Sequence, residues 1–143
     1  MTTFTPYLLY EDCGAMLDWL AEAFGFEEVL RVTGEDGSIS HAEMRRGGDF
    51  FYLGDPGGDY RNPRNAGIET AGVYVELEGG DDVDALHERA RAAGAEILEE
   101  PADQAYGHRR FSVKDPEGHQ WFLARPLRRV APEDWGATPA EPG

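Results

Sequence analysis

The chain has one cysteine, Cys13, so no intrachain disulfide can form and zinc sites built on several cysteines are excluded. No apolar run reaches the roughly 18 residues that a membrane-spanning helix requires. No basic start followed by an apolar stretch is present, so no secretory signal is expected. The default expectation is a soluble, cytoplasmic protein. Cationic side chains are also scarce: 13 Lys and Arg stand against 28 Asp and Glu, a formal charge of −15. Nucleic acid and anionic membranes are bound largely through Lys and Arg that neutralise phosphates, so neither is expected as a partner. The surplus carboxylates serve first as a solvated surface, and they can also attract cationic ligands over a distance.

What the sequence does have is material for one core and a grammar that occurs twice. Its 143 residues fit one domain, and 41% of them are hydrophobic. A short apolar run, Tyr7 to Tyr10, is followed by Asp12 and then by Ala15, Met16, Trp19, Leu20, Ala23 and Phe24 at helical spacing, closed by Gly25. The second half repeats this. Val73, Val75 and Leu77 alternate as a strand, Asp81 and Asp82 offer a helix cap, Val83, Leu86, Ala90 and Ala93 recur at helical spacing, and Gly94 ends the pattern. The two closing glycines lie 69 residues apart (25 to 94).

After each helix the period changes to two. Phe26 to Val32, Ile39 to Arg45 and Phe50 to Leu53 read as strands in the first half. Ala95 to Leu98, Phe111 to Val113 and Gln120 to Ala124 do so in the second. The expected fold class is α+β, built from paired βαβββ modules that form a curved, mixed but mostly antiparallel sheet with helices on one face. The expected boundaries are residues 5–126 for the domain, with module one at 5–54, a surface linker at 55–70 and module two at 71–126. Residues 127–143 are expected to be a loose tail, which Trp135 could dock.

Several segments carry a family resemblance. They are Pro6-Tyr-Leu-Leu-Tyr-Glu-Asp12, Ala23-Phe-Gly-Phe26, His41-Ala-Glu-Met44 and above all Tyr106-Gly-His-Arg-Arg-Phe-Ser-Val-Lys-Asp-Pro-Glu-Gly-His-Gln-Trp-Phe122. The pattern resembles the vicinal oxygen chelate superfamily, which includes glyoxalase I, extradiol dioxygenases, fosfomycin-modifying enzymes and bleomycin-binding resistance proteins. The resemblance implies two cupped modules sharing one cleft, helices on the convex face, and a homodimer, in some members with elements exchanged between subunits.

It also implies where a metal would sit. The enzymes place ligands on cleft-facing positions of the first and last strand of each module. Strand alternation puts Thr5, Tyr52, Gly72 or Tyr74, and Phe122 at those positions. Such residues do not make a divalent-metal site, and a slip of one position brings no better donors. The expectation is therefore no metal and no other cofactor, with a divalent metal kept as the alternative.

The same parity turns Tyr7, His41, Glu43, Phe50, Tyr52, Tyr74, Glu76, Arg110 and Phe122 into the cleft, and these are the candidate ligand-binding residues. Arg45, Ser112 and Gln120 share the face. Aromatic walls with a few fixed polar groups suit a small organic molecule, and carboxylates beside rings suit a cationic one. Glu43 with Arg45, or Glu76 with Arg110, could instead neutralise each other. His87, His108 and His119 read as solvated turn or helix-surface residues. Cys13 opens a helix, which favours a thiolate, but no basic partner adjoins it. The leading reading is a non-enzymatic, antibiotic-resistance-like protein that sequesters a small aromatic molecule, cationic ones included. The alternative is a glyoxalase-like lyase or isomerase, or a dioxygenase, with an atypical metal held by His41 and Glu43. A third reading is an interaction module without a ligand.

Overall fold

Both long helices begin where an aspartate can accept the first free amide. In the computed structural model, which describes residues 1–78 and 80–141, α1 (Cys13–Phe24) starts at Asp12, whose side chain accepts from Ala15 N at 3.0 Å. It ends at Gly25, whose φ of 72° is the left-handed conformation that a side chain would strain. The second long helix (Val83–Ala92) starts the same way, with Asp82 accepting from Ala85 N at 3.1 Å. Of the two expected cap residues only Asp82 caps. Asp81 is spent on Glu78 N and on the Arg46 guanidinium.

Each helix leads into a four-stranded sheet. The first contains β1 (Tyr7–Leu9), β2 (Glu27–Thr33), β3 (Ile39–Arg46) and β4 (Asp49–Gly54) in the order β1-β4-β3-β2. The second contains β5 (Gly72–Glu76), β6 (Glu96–Asp103), β7 (His108–Lys114) and β8 (Gln120–Pro126) in the order β5-β8-β7-β6. In each, the first strand pairs in parallel with the last and the other pairings are antiparallel. The α+β class and the duplicated βαβββ module are thus as expected. Each module forms its own four-stranded sheet, and β6, β7 and β8 run longer than their alternation suggested.

The modules are joined on the helix side. Met16, Leu17, Leu20, Ala23 and Phe24 from α1 enter one continuous core with Ala42, Met44, Phe51, Leu53, Phe111, Val113, Trp121 and Leu123. Trp121 of module two packs against Phe24, Phe26 and Phe51 of module one, with ring centroids 5.4–5.6 Å apart. Trp19 donates its indole N–H to the Ala93 carbonyl at 2.8 Å. The carbonyls ending α1 receive Arg89 and Arg46, cations at the negative end of the helix.

A second junction is polar and buried. Asp115, with no exposed surface, accepts from Tyr10 Oη at 2.7 Å, Trp121 Nε1 at 3.0 Å, Glu117 N at 3.0 Å and His119 N at 3.1 Å. Glu117 accepts from the Glu11 and Asp12 amides and from Asn62 Nδ2. The Asp115-Pro-Glu-Gly118 turn therefore ties the last hairpin of module two to the end of β1 and the start of α1. Burial and the neighbouring Asp115 carboxylate hold the Tyr10 phenol well above its ordinary pKa, so it stays a donor. Gly118, at φ 96°, has no room for a side chain: a Cβ would lie 2.7 Å from Arg64 N.

That close approach comes from the segment between the modules. It carries a short helix, α2 (Pro63–Ala66), capped by Asn62, and Arg64 N donates to the Glu117 carbonyl at 3.0 Å. Beyond β8 the chain folds back. Leu127 N donates to Gly107 O at 2.7 Å, and after a 3-10 turn (Pro132–Trp135) the Trp135 ring lies 5.6 Å from that of Tyr106. The last two residues of the expected tail lie outside the described residues.

Replacing Asp115 by Asn exchanges an acceptor oxygen for a donor facing other donors. The expected cost is about 2–3 kcal/mol, the range for hydrogen bonds to a buried charged group. Urea denaturation followed by circular dichroism measures it, with the exposed Asp59→Asn as a control. Equal stability of the two variants would contradict the role given to Asp115.

Candidate functional site

Parity along the strands divides the side chains as expected. On β3, Ala42 and Met44 are fully buried while His41 and Glu43 face away from the helices. On β4 and β8, Phe51, Leu53, Trp121 and Leu123 are core, and Tyr52 and Phe122 point to the helix-free face. Tyr7 and Tyr74 stand on that face at 49% and 43% exposure.

In module one these residues interlock. Tyr7 Oη lies 2.8 Å from His41 Nδ1, and His41 Nε2 lies 3.0 Å from Glu43 Oε2. A neutral ring with its proton on Nε2 satisfies both contacts, donating to the carboxylate and accepting from Tyr7 at Nδ1. Register places Tyr7 beside Tyr52, and the Tyr7, His41 and Tyr52 ring centroids are 5.2–5.8 Å apart. The result is a nest of three rings with one carboxylate.

Module two has a longer chain. Arg110 Nη1 donates to Tyr106 Oη at 3.1 Å. Tyr106 Oη lies 3.0 Å from Tyr74 Oη, and Tyr74 Oη lies 2.7 Å from His108 Nδ1, so the four groups form one hydrogen-bonded chain. Phe122 stacks beside Tyr74 with centroids 5.9 Å apart, and the Arg110 guanidinium lies 5.3 Å from the Phe122 ring centroid. Burial, followed by the bond to Tyr106, holds the Tyr74 phenol above its ordinary pKa. For Arg110, burial works against the charge, but Tyr106 and Glu99 outweigh it and the guanidinium is held above its usual range.

A hollow of about 600 Å³ lies between the start of β4 and β5, lined by Phe50, Tyr52, Tyr74 and Glu76, by the segment Thr3 to Pro6, and by core side chains that include Phe26 and Trp121. A second, of about 330 Å³, takes Tyr7 and the start of β5. His41, Glu43, Arg110 and Phe122 line neither hollow and stand beside them on the open face.

Several expectations require correction. Glu43 and Arg45 do not neutralise each other: Glu43 holds His41, and Arg45 reaches across the strands to Glu27 at 3.1 Å. Glu76 does not pair with Arg110. Glu76 sits 3.6 Å from His108, and Arg110 pairs with Glu99 on β6. His108 is a hydrogen-bonded part of the module two cluster, not a solvated turn residue. His87 is 4% exposed and packs against Phe111, its Nε2 close to Glu100 without hydrogen-bond alignment. His119 Nε2 is bound to the Leu9 carbonyl at 2.8 Å. Cys13 is buried, and burial followed by the Asp55 and Glu117 carboxylates pushes its thiol up to about 11, so the helix start yields no thiolate. Tyr106 was missed as a candidate. The signal for the module two cluster was available: Tyr7, His41 and Glu43 each have a counterpart 67 residues on, at Tyr74, His108 and Arg110.

A divalent metal finds no donor set at the positions the superfamily uses. Thr5, Tyr52, Gly72 and Phe122 occupy them, and among the described residues no three His, Cys, Asp or Glu converge on one point. Both ring nitrogens of His41 are already engaged.

The model of the Glyoxalase/Bleomycin resistance protein/Dioxygenase superfamily matches residues 4–123. The chain belongs to that superfamily. Its relatives include an uncharacterised Mycobacterium bovis protein, Mb0911c, 34% identical over 131 residues that cover 88% of this chain and 84% of the other. Among solved structures, TioX from Micromonospora sp. ML1 is 32% identical with a TM-score of 0.68, over 91% of this chain and all of that one. A PhnB protein from Bacillus cereus shares the fold at 18% identity and a TM-score of 0.63, over 87% and 99% of the two chains. Among the described residues no helix is long and apolar enough to cross a membrane.

The buried, protonated Cys13 thiol should react with a neutral alkylating reagent at pH 8 about a hundredfold more slowly in the native protein than in urea, since only the thiolate attacks. Labelling rates followed by mass spectrometry test this, and equal rates in both states would contradict the assignment.

Proposed function

We propose that this superfamily member binds a small aromatic molecule, cationic ones included, without a metal, in the manner of an antibiotic-resistance-type sequestering protein. The observation that carries the proposal is the Tyr7–His41–Tyr52 nest with its Glu43 carboxylate, open at the helix-free face. Rings meeting edge to face leave room for a flat ligand, and a nearby carboxylate with electron-rich ring faces favours a positive charge on it. The overall charge of −15 adds long-range attraction for cations. The superfamily includes bleomycin resistance proteins. The alternative, a glyoxalase-like enzyme with a metal on His41 and Glu43, receives less support. Those two groups already satisfy each other, and no third ligand-type residue among the described ones joins them.

The protein is further proposed to act as a homodimer. All of β2 is exposed, including Val29, Leu30 and Val32 at 42–51%. A second copy of the chain would remove that apolar edge from water. Light scattering at tens of micromolar should give twice the chain mass of 15.8 kDa, and a monomer mass would overturn the dimer.

Binding is tested by calorimetry with a cationic acridine dye. Tyr52→Ala should weaken binding about tenfold, the loss of one aromatic wall, whereas Trp19→Phe on the helix side should leave it unchanged. Absence of any binding, or equal affinity for Tyr52→Ala, would count against the proposal.

A further inference from the structure

The internal duplication reaches the recognition side chains themselves. Tyr7 and His41 form a hydroxyl-to-Nδ1 contact of 2.8 Å, and their counterparts Tyr74 and His108, both 67 residues later, form the same contact at 2.7 Å. Each tyrosine is paired by strand register with a ring on the neighbouring parallel strand, Tyr52 for Tyr7 and Phe122 for Tyr74. The third position with this spacing differs in sign: Glu43 in module one, Arg110 in module two.

We infer that the open face holds two half-sites per chain, each receiving one flat aromatic unit, and that Glu43 and Arg110 make them unequal toward charge. The inference rests on the binding function proposed above and adds its stoichiometry and polarity. In the first half-site a cation meets a half-buried carboxylate, with Glu43 at 24% side-chain exposure. In the second the matching position holds a guanidinium already on Phe122 and paired with Glu99, so a cation gains less there. A difference of one partly exposed charge pair corresponds to about fivefold in affinity. The second half-site also carries its own reporter. Trp135 lies against Tyr106, which is bonded to Tyr74, whereas Trp121 is buried and Trp19 faces the other module's helix.

Titration calorimetry of the full chain with a cationic acridine dye should show two binding events per chain, about fivefold apart. Glu43→Gln should weaken the tighter event toward the weaker one. Tyr74→Ala, a change at an exposed position, should abolish the weaker event and leave the tighter. Quenching of Trp135, isolated by comparison with Trp135→Phe, should follow the weaker event. One event per chain, two events both lost in Tyr74→Ala, or Trp135 quenching that follows the tighter event would overturn the half-site assignment while leaving the binding function standing. No heat and no quenching at any dye concentration would instead remove the binding function itself.

Discussion

The buried carboxylates of Asp115 and Glu117 are the constraint on which the arrangement of this molecule depends. A charged group without exposed surface is tolerated only when its oxygens are filled by donors, and here the donors come from both modules. Tyr10 follows directly on β1, so its bond to Asp115 fixes where the first strand of module one ends relative to the last hairpin of module two. Glu117 fixes the start of α1 and, through Asn62, the segment between the modules. With those ends pinned, strand alternation has one outcome: apolar residues toward the shared core, rings and charges toward the open face.

Much of this was legible in the sequence. The caps Asp12 and Asp82, the positive-φ glycines Gly25 and Gly94, and the alternation on β3, β4 and β8 follow from local rules and held, whereas Asp81 does not cap and Ser112 on β7 is as buried as Phe111 and Val113. The partners of the charged residues did not follow. Arg45 meets Glu27 because β2 and β3 pair in that register, and Glu99 reaches Ser112 and Arg110 through irregularities in the β6–β7 pairing. Neither register is written in a two-residue period. Glu76 reaches across β8 to His108, two residues before Arg110 on β7, a choice that alternation alone does not make. His87 was readable, since it shares the helical spacing of Val83, Leu86 and Ala90. Its polarity obscured its place in the buried stripe. The 67-residue offset linking His108 to His41 was masked by the offsets of 69 and 70 between the helix ends and the closing strands. The offset grows by three before the closing strands because the Asp115–Gly118 turn is longer than its counterpart at Gly47-Gly48.

Membership in the superfamily and the chemistry of the open face fit together through side-chain type. The fold offers matched positions on paired strands. In this chain those positions hold Thr5, Tyr52, Gly72 and Phe122, and the histidines nearby are engaged by tyrosines and a carboxylate. Rings held by hydrogen-bonded hydroxyls lose little freedom on meeting a ligand, so a preformed aromatic surface binds at low entropic cost.

On the function proposed above, binding of the aromatic ligand is independent of a metal. The most direct test is the affinity for a cationic acridine dye, measured before and after exhaustive dialysis against a chelator and again with added Ni²⁺, Zn²⁺, Fe²⁺ or Mn²⁺. The expected result is one unchanged dissociation constant under all these conditions. Binding that disappears on chelation and returns with one equivalent of a divalent ion would contradict the claim.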